Sequence, residues 1–196
     1  MKLLLDISRT VDWLNERIGR LVSWLVLATV LVSTTNATFR YAFNQSSNAW
    51  LEIQWYLFSA IFLLASGYTL KHNQHIRIDI IAGRLSRKAQ TWIDILDTLL
   101  FLFPMAIIIM WLSWPVFVNS YQHNEISTNA GGLTVWPARL LVPVGFFLLI
   151  LQGGSELIKR IAFLRGLIAD PAEAVVAPDA EAELAEAIRR ERGEAA

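Results

Sequence analysis

Four stretches of the chain are apolar for about the length needed to cross a bilayer. Residues 21–39 carry no charge. Residues 51–70 carry only Glu52, near their start. Residues 93–114 carry Asp94 and Asp97 in their first turns, and residues 136–158 are bounded by Arg139 and Glu156. Roughly 20 mostly apolar residues span about 30 Å of hydrocarbon as a helix. The runs are continuous rather than alternating, so membrane strands are not expected. The pattern predicts an all-α integral membrane protein with four transmembrane helices. Pro104 and Pro143 fall inside predicted spans, where each predicts a kink.

The flanking segments read differently. Leu4, Ile7, Val11, Leu14 and Ile18 recur at spacings of three and four, with Lys2, Asp6, Arg9, Asp12 and Glu16 on the other faces. Residues 1–20 therefore read as an amphipathic helix, either lying on the membrane surface before the first span or capping its own bundle. The first span is read as a retained anchor, because acidic residues precede it and no small-residue cleavage site follows it. In the loop after the second span, Ile76, Ile78 and Ile80 alternate with Arg77 and Asp79, which suggests a second surface-lying segment. The domain reading is thus 1–20, a membrane domain over 21–160, and a tail over 161–196. Ala, Glu, Pro171 and Pro178 dominate that tail, which is expected to be solvated, with at most a weak helix near 181–192.

Charge changes the picture by giving the spans a direction. Lys and Arg cluster before the first span, between the second and third, and directly after the fourth. The 40–49 connection holds only Arg40, and the 113–135 connection holds neither. Basic loops stay in the cytoplasm, so both termini and the middle loop are expected there, with the other two connections outside. Trp50, Trp111, Trp114 and Trp136 fall at the predicted outer ends and Trp92 at an inner end, as expected of rings at headgroup depth. The formal net charge of +0 hides 14 basic and 9 acidic side chains up to residue 169, against 3 and 8 beyond it. With no global basic field, nucleic acid is not an expected partner, whereas membrane lipids are. Of the 196 residues, 55% are hydrophobic and 17% charged, against about 25% charged in soluble domains. The absence of Cys excludes disulfides, thiolate metal sites and Cys nucleophiles.

Candidate chemistry is sparse. His72 and His75 sit three apart but outside the spans, with no Cys and few neighbouring carboxylates, so neither a metal site nor a bis-His haem anchor is supported. Glu52, beside Trp50 at the outer end of the second span, calls for a partner at membrane depth. Arg40 and Arg139 are candidates, and so is another subunit. Asp94 and Asp97 share a helical face, with Lys71, Lys159 and Arg160 placed to neutralise them. Asn44-Gln45-Ser46 fits a glycosylation sequon, a pattern frequent by chance. No phosphate loop, nucleophile elbow or metalloprotease motif occurs. No catalytic residue, cofactor or metal is expected, so the chain reads as a non-enzyme. The candidate partner or structural contacts are Arg40, Trp50, Glu52, His75, Arg77, Asp79, Trp136 and Arg139.

Several of these residues carry a resemblance. Phe39-Arg40-Tyr41-Ala42-Phe43, Trp50-Leu51-Glu52, Gly67, the His75–Asp79 loop, Trp136-Pro137-Ala138-Arg139 and the run from Pro143 to Arg160 resemble the small membrane subunit, the DctQ-like small permease component, of tripartite ATP-independent periplasmic (TRAP) transporters. The likeness covers about residues 10–165. It departs from the family in one place, because Ile53 rather than a second acidic residue follows Glu52. The resemblance implies an accessory scaffold subunit in the bacterial inner membrane. Its partners would be a large multi-spanning subunit and a periplasmic substrate-binding protein, importing an organic acid with sodium. The competing expectation is an autonomous oligomeric carrier that uses Glu52.

Overall fold

The structure, a computed structural model, describes residues 1–44, 47–72 and 86–169. Four long helices account for most of them: α1 (Lys2–Phe43), α2 (Asn48–Lys71), α3 (Arg87–Gln122) and α4 (Trp136–Leu164). All four are long and apolar enough to cross a membrane. Among the described residues the only strand-like feature is an antiparallel bridge between Ile126 and Thr134. The expected all-α membrane protein with four spans is what forms. The helices overrun the apolar runs because their polar ends find partners in the fold.

α4 is the hub. α1, α2 and α3 all pack on it, and α1 and α2 also pack on each other. Small residues set the approach of the backbones. A Cβ on Gly145 would lie 2.8 Å from Leu63 Cβ of α2, and one on Gly153 would lie 2.9 Å from the Phe103 ring of α3. Several hydroxyls inside the apolar segments are satisfied within their own helix, since hydrocarbon offers no water. Thr29 donates to the Leu25 carbonyl at 2.8 Å and Thr98 to the Asp94 carbonyl at 2.8 Å.

Proline shapes α3 without breaking it. Thr98–Leu102 form a π turn in which the Phe103 N–H donates to the Thr98 carbonyl. Pro104 follows at once. It has no N–H, and in an α-helix its ring would press on the carbonyl of Leu100, so the wider turn relieves that clash. Pro115 lies further along α3, and Pro143 is buried within α4.

Residues 1–20 differ from the expectation of a separate surface helix. They are continuous with the first span in one 42-residue helix. The apolar face is also only partly the one that packs, with Val11, Leu14 and Ile18 half-buried. Leu4 is 44% and Ile7 49% exposed, while Ser8 and Asn15 are buried. The reason lies across the interface, where α4 presents Gln152, Ser155, Glu156 and Lys159, so polar groups must meet polar groups. Of the alternatives for this segment, packing on its own bundle is the one the contacts describe. The expected surface segment at 76–80 and the tail from residue 170 lie outside the described residues.

Candidate functional site

Two polar constellations stand out, one at each end of the bundle. At the end that carries the two short connections, α2 grips the 123–135 loop. Asn48, Glu52 and Tyr56 recur every four residues and so share one face. Asn48 Nδ2 donates to the Ala130 carbonyl at 3.0 Å, and the Tyr56 hydroxyl donates to the Thr134 carbonyl at 3.1 Å. Between them Glu52 is 4% exposed. One of its oxygens accepts from the Ser127 hydroxyl and from Asn129 Nδ2 at 2.8 Å; the other accepts from the Leu133 N–H at 2.7 Å. The carboxylate thus nucleates the turn of a small hairpin.

The hairpin is fixed by its own backbone as well. Ser127 N–H donates to the Leu133 carbonyl at 2.9 Å, and Val135 N–H to the Glu125 carbonyl at 2.9 Å. Gly131 has φ +72, a conformation side chains disfavour. A Cβ on Gly132 would lie 3.0 Å from a Glu52 oxygen. Arg139, at the start of α4, closes the base through both guanidinium nitrogens, 2.5 and 2.6 Å from the two Glu125 oxygens. Trp136 meets the Tyr121 ring edge-on at 5.4 Å.

At the other end a polar seam ties α1 to α4. Ser8 and Ser155 hydroxyls are 2.6 Å apart, and Asn15 Nδ2 donates to Gln152 Oε1 at 2.9 Å. Gln152 Nε2 donates to Asp12 at 2.8 Å and to Glu156 at 3.1 Å. Ser155 Oγ donates to Asp12 at 2.8 Å, and Lys159 reaches Asp12 at 3.1 Å and Glu156 at 2.5 Å. Asn15 Oδ1 rests against Gly67 of α2, whose missing Cβ makes the room. Glu16 then receives Lys71 at 2.6 Å and His72 at 3.1 Å from the end of α2. Arg160 pairs with Asp94 of α3.

These placements revise the expected pairings. Neither Arg40 nor Arg139 meets Glu52. The loop after α3 supplies every Glu52 partner, because its backbone N–H and amide groups need an acceptor at membrane depth. Arg40 is exposed, its guanidinium 5.1 Å from the neighbouring Tyr41 ring. Trp50 is 41% exposed. Of the cations expected to neutralise Asp94 and Asp97, Arg160 reaches Asp94, while Lys71 and Lys159 serve Glu16 and Asp12. His75, Arg77 and Asp79 lie outside the described residues. Missed altogether were Asn48, Tyr56, Ser127, Asn129 and Glu125 at one end, and Asn15 and Ser155 at the other; Gln152 entered only through the family resemblance. The four-residue recurrence of Asn48, Glu52 and Tyr56 was the available signal.

A groove of about 590 Å³ opens between α3 and α4 where Pro115 and Pro143 face each other, with Trp111, Trp114 and Phe147 among its walls. Its lining is almost wholly apolar and holds no charged side chain; the indole N–H groups of Trp111 and Trp114 are the side-chain donors its residues carry. Among the described residues no group of three or more His, Cys, Asp or Glu could hold a metal ion.

Comparison with curated proteins and with solved structures finds no match for this chain. A family model does match, over residues 29–163, which takes in the later part of α1, the other three spans, the Glu52 hairpin and the α4 side of the polar seam. The chain belongs to the DctQ component family of the tripartite ATP-independent periplasmic transporters.

Proposed function

We propose that this small TRAP subunit is a bracing part of the transporter rather than its transport path. It sits in the bacterial inner membrane with both termini cytoplasmic and with the Glu52 hairpin on the periplasmic side. It holds a large multi-spanning subunit that moves an organic acid with sodium, and a periplasmic protein delivers that acid. The observation that carries the reading is the employment of Glu52. Both its oxygens are taken up by the hairpin, so this carboxylate, inside a span near its periplasmic end, is a structural acceptor. The apolar α3–α4 groove supports the same reading, since no cationic side chain lines it to balance an anion. Arg40 and Trp50, exposed at the periplasmic end, and His75, Arg77 and Asp79 in the cytoplasmic loop are the proposed contacts to other subunits.

Co-expression with the large subunit tests the proposal. The two chains should co-purify, and neither alone should drive sodium-dependent uptake in liposomes. Uptake by the purified small chain, lost on Glu52→Gln, would refute the proposal in favour of an autonomous carrier.

A further inference from the structure

The first half of α1 carries a stripe with no role in the bundle. Asp6, Arg9, Trp13, Arg17, Arg20 and Trp24 follow one another at spacings of three and four. At about 100° per residue they lie on one face, about half a turn from the buried Ser8, Asn15 and Val22. The stripe therefore points away from α2 and α4. Trp13 is 56% and Trp24 70% exposed.

Charge along this face is unbalanced. Of the acids in residues 1–20, Asp6 pairs with Arg9 at 3.2 Å, Asp12 with Lys159 and Glu16 with Lys71. Arg17 and Arg20 make no ion pair among the described residues. The Arg17 guanidinium lies over the Trp13 ring, 5.0 Å from its centre, which holds it against the helix with its N–H groups free.

Depth identifies the occupant. Glu16 meets Lys71 and His72, the residues directly after the last apolar residue of α2, Leu70. Arg17 is thus level with the edge of the hydrocarbon. The uncharged run from Leu21 begins beyond Arg20, and Trp24 lies one turn deeper. Two unpaired guanidiniums flanked by exposed indoles, on a lipid-facing helix at headgroup level, match an anionic phosphate with its acyl chains beside it. We propose that Arg17, Arg20 and Trp13 form a binding site for the headgroup of an anionic phospholipid. The site stands apart from the transport role and does not depend on it.

Titration of the detergent-purified full-length chain with phosphatidylglycerol and with phosphatidylcholine, read by native mass spectrometry, tests this. Phosphatidylglycerol should be preferred. Arg17→Gln/Arg20→Gln should weaken it about thirtyfold, at about fivefold per basic residue. Arg9→Gln, whose charge Asp6 already balances, should weaken it less than about threefold. Arg17→Lys/Arg20→Lys keeps the charge and should retain most of the preference, which separates a lost site from a damaged fold. The proposal is overturned if the double Gln variant keeps the preference, if Arg9→Gln loses as much, or if inorganic phosphate displaces the lipid. It is equally overturned if the double Gln variant keeps its lipid preference while losing the large subunit, because the stripe would then be a protein contact.

Discussion

Gln152 is the best place to test whether the polar seam holds α1 on α4. It is fully buried, and its side chain makes three hydrogen bonds at 2.8 to 3.1 Å. Gln152→Leu keeps the volume and removes all three. Two of them cross between helices, each worth about 0.6 kcal/mol on average in a membrane protein. The larger cost falls on Asn15, which is 0% exposed and would be left with only the Val11 carbonyl at 3.3 Å. A stranded buried amide costs about 1–3 kcal/mol, so the single substitution should destabilise by about 2–4 kcal/mol. Asp12 keeps Ser155 and Lys159 and adds little. Asn15→Leu in the same background removes the stranded group, so the double variant should recover about 1–2 kcal/mol of the summed loss. Unfolding in mild detergent, followed by Trp fluorescence, measures the full cycle. A single-variant loss below about 0.5 kcal/mol, or a coupling within about 0.5 kcal/mol of zero, would refute the claim that these amides pin the helices.

Three further outcomes follow from the contacts. Glu52→Gln leaves one acceptor where the hairpin uses two, setting an amide NH2 against either the Leu133 N–H or the Asn129 amide, so hydrogen exchange across 125–135 should speed up, whereas Arg40→Gln should leave it unchanged. Gly67→Ala drives a methyl into the Asn15 amide and should cost about 1–3 kcal/mol in the same unfolding assay, with Asn15→Ala relieving it. Arg139→Lys keeps the charge but loses the two-pronged grip on Glu125, so exchange at the Val135 amide should rise even though an ion pair can still form.

The spans were legible in the sequence because hydrocarbon leaves a chain few choices. It must be apolar for about 20 residues and must satisfy its backbone within the segment. The polar ends were harder to read for a related reason. An apolar run announces itself by composition, whereas Gln152 or Asn48 gains meaning only from what another helix sets against it. Periodicity correctly made residues 1–20 a helix. It did not show that Ser8 and Asn15 pack more deeply than Leu4 and Ile7, because the rule that apolar residues point inward weakens where the opposing surface is itself polar. Glu52 reads from the sequence as a carboxylate in need of partners, and its residue type points first to opposite charge. Neutral donors from a loop about 75 residues downstream serve it instead, as the Ser127 contact at a separation of 75 illustrates. Sequence spacing cannot reveal a hairpin whose turn residues are small and polar and whose fold depends on the acid it binds.

The distribution of these contacts bears on what such a bundle can do. Between its two ends the helices meet through glycine and apolar side chains, as at Gly145 on Leu63 and Gly153 on Phe103. Contacts of that kind are close but nearly indifferent to a slide along the helix axis, since lipid tails are as apolar as the partner. Register must then come from directional bonds, and those sit at the ends, with the Glu52 cage and the Arg139–Glu125 fork at one and the Asp12–Gln152–Lys159 seam at the other. A helix pinned at both ends can neither slide nor rock without breaking charge-assisted bonds at membrane depth. A moving transport element needs the opposite, with one end free or two alternative sets of partners. The proposed brace, holding still beside a partner that moves, asks for the arrangement these side chains make.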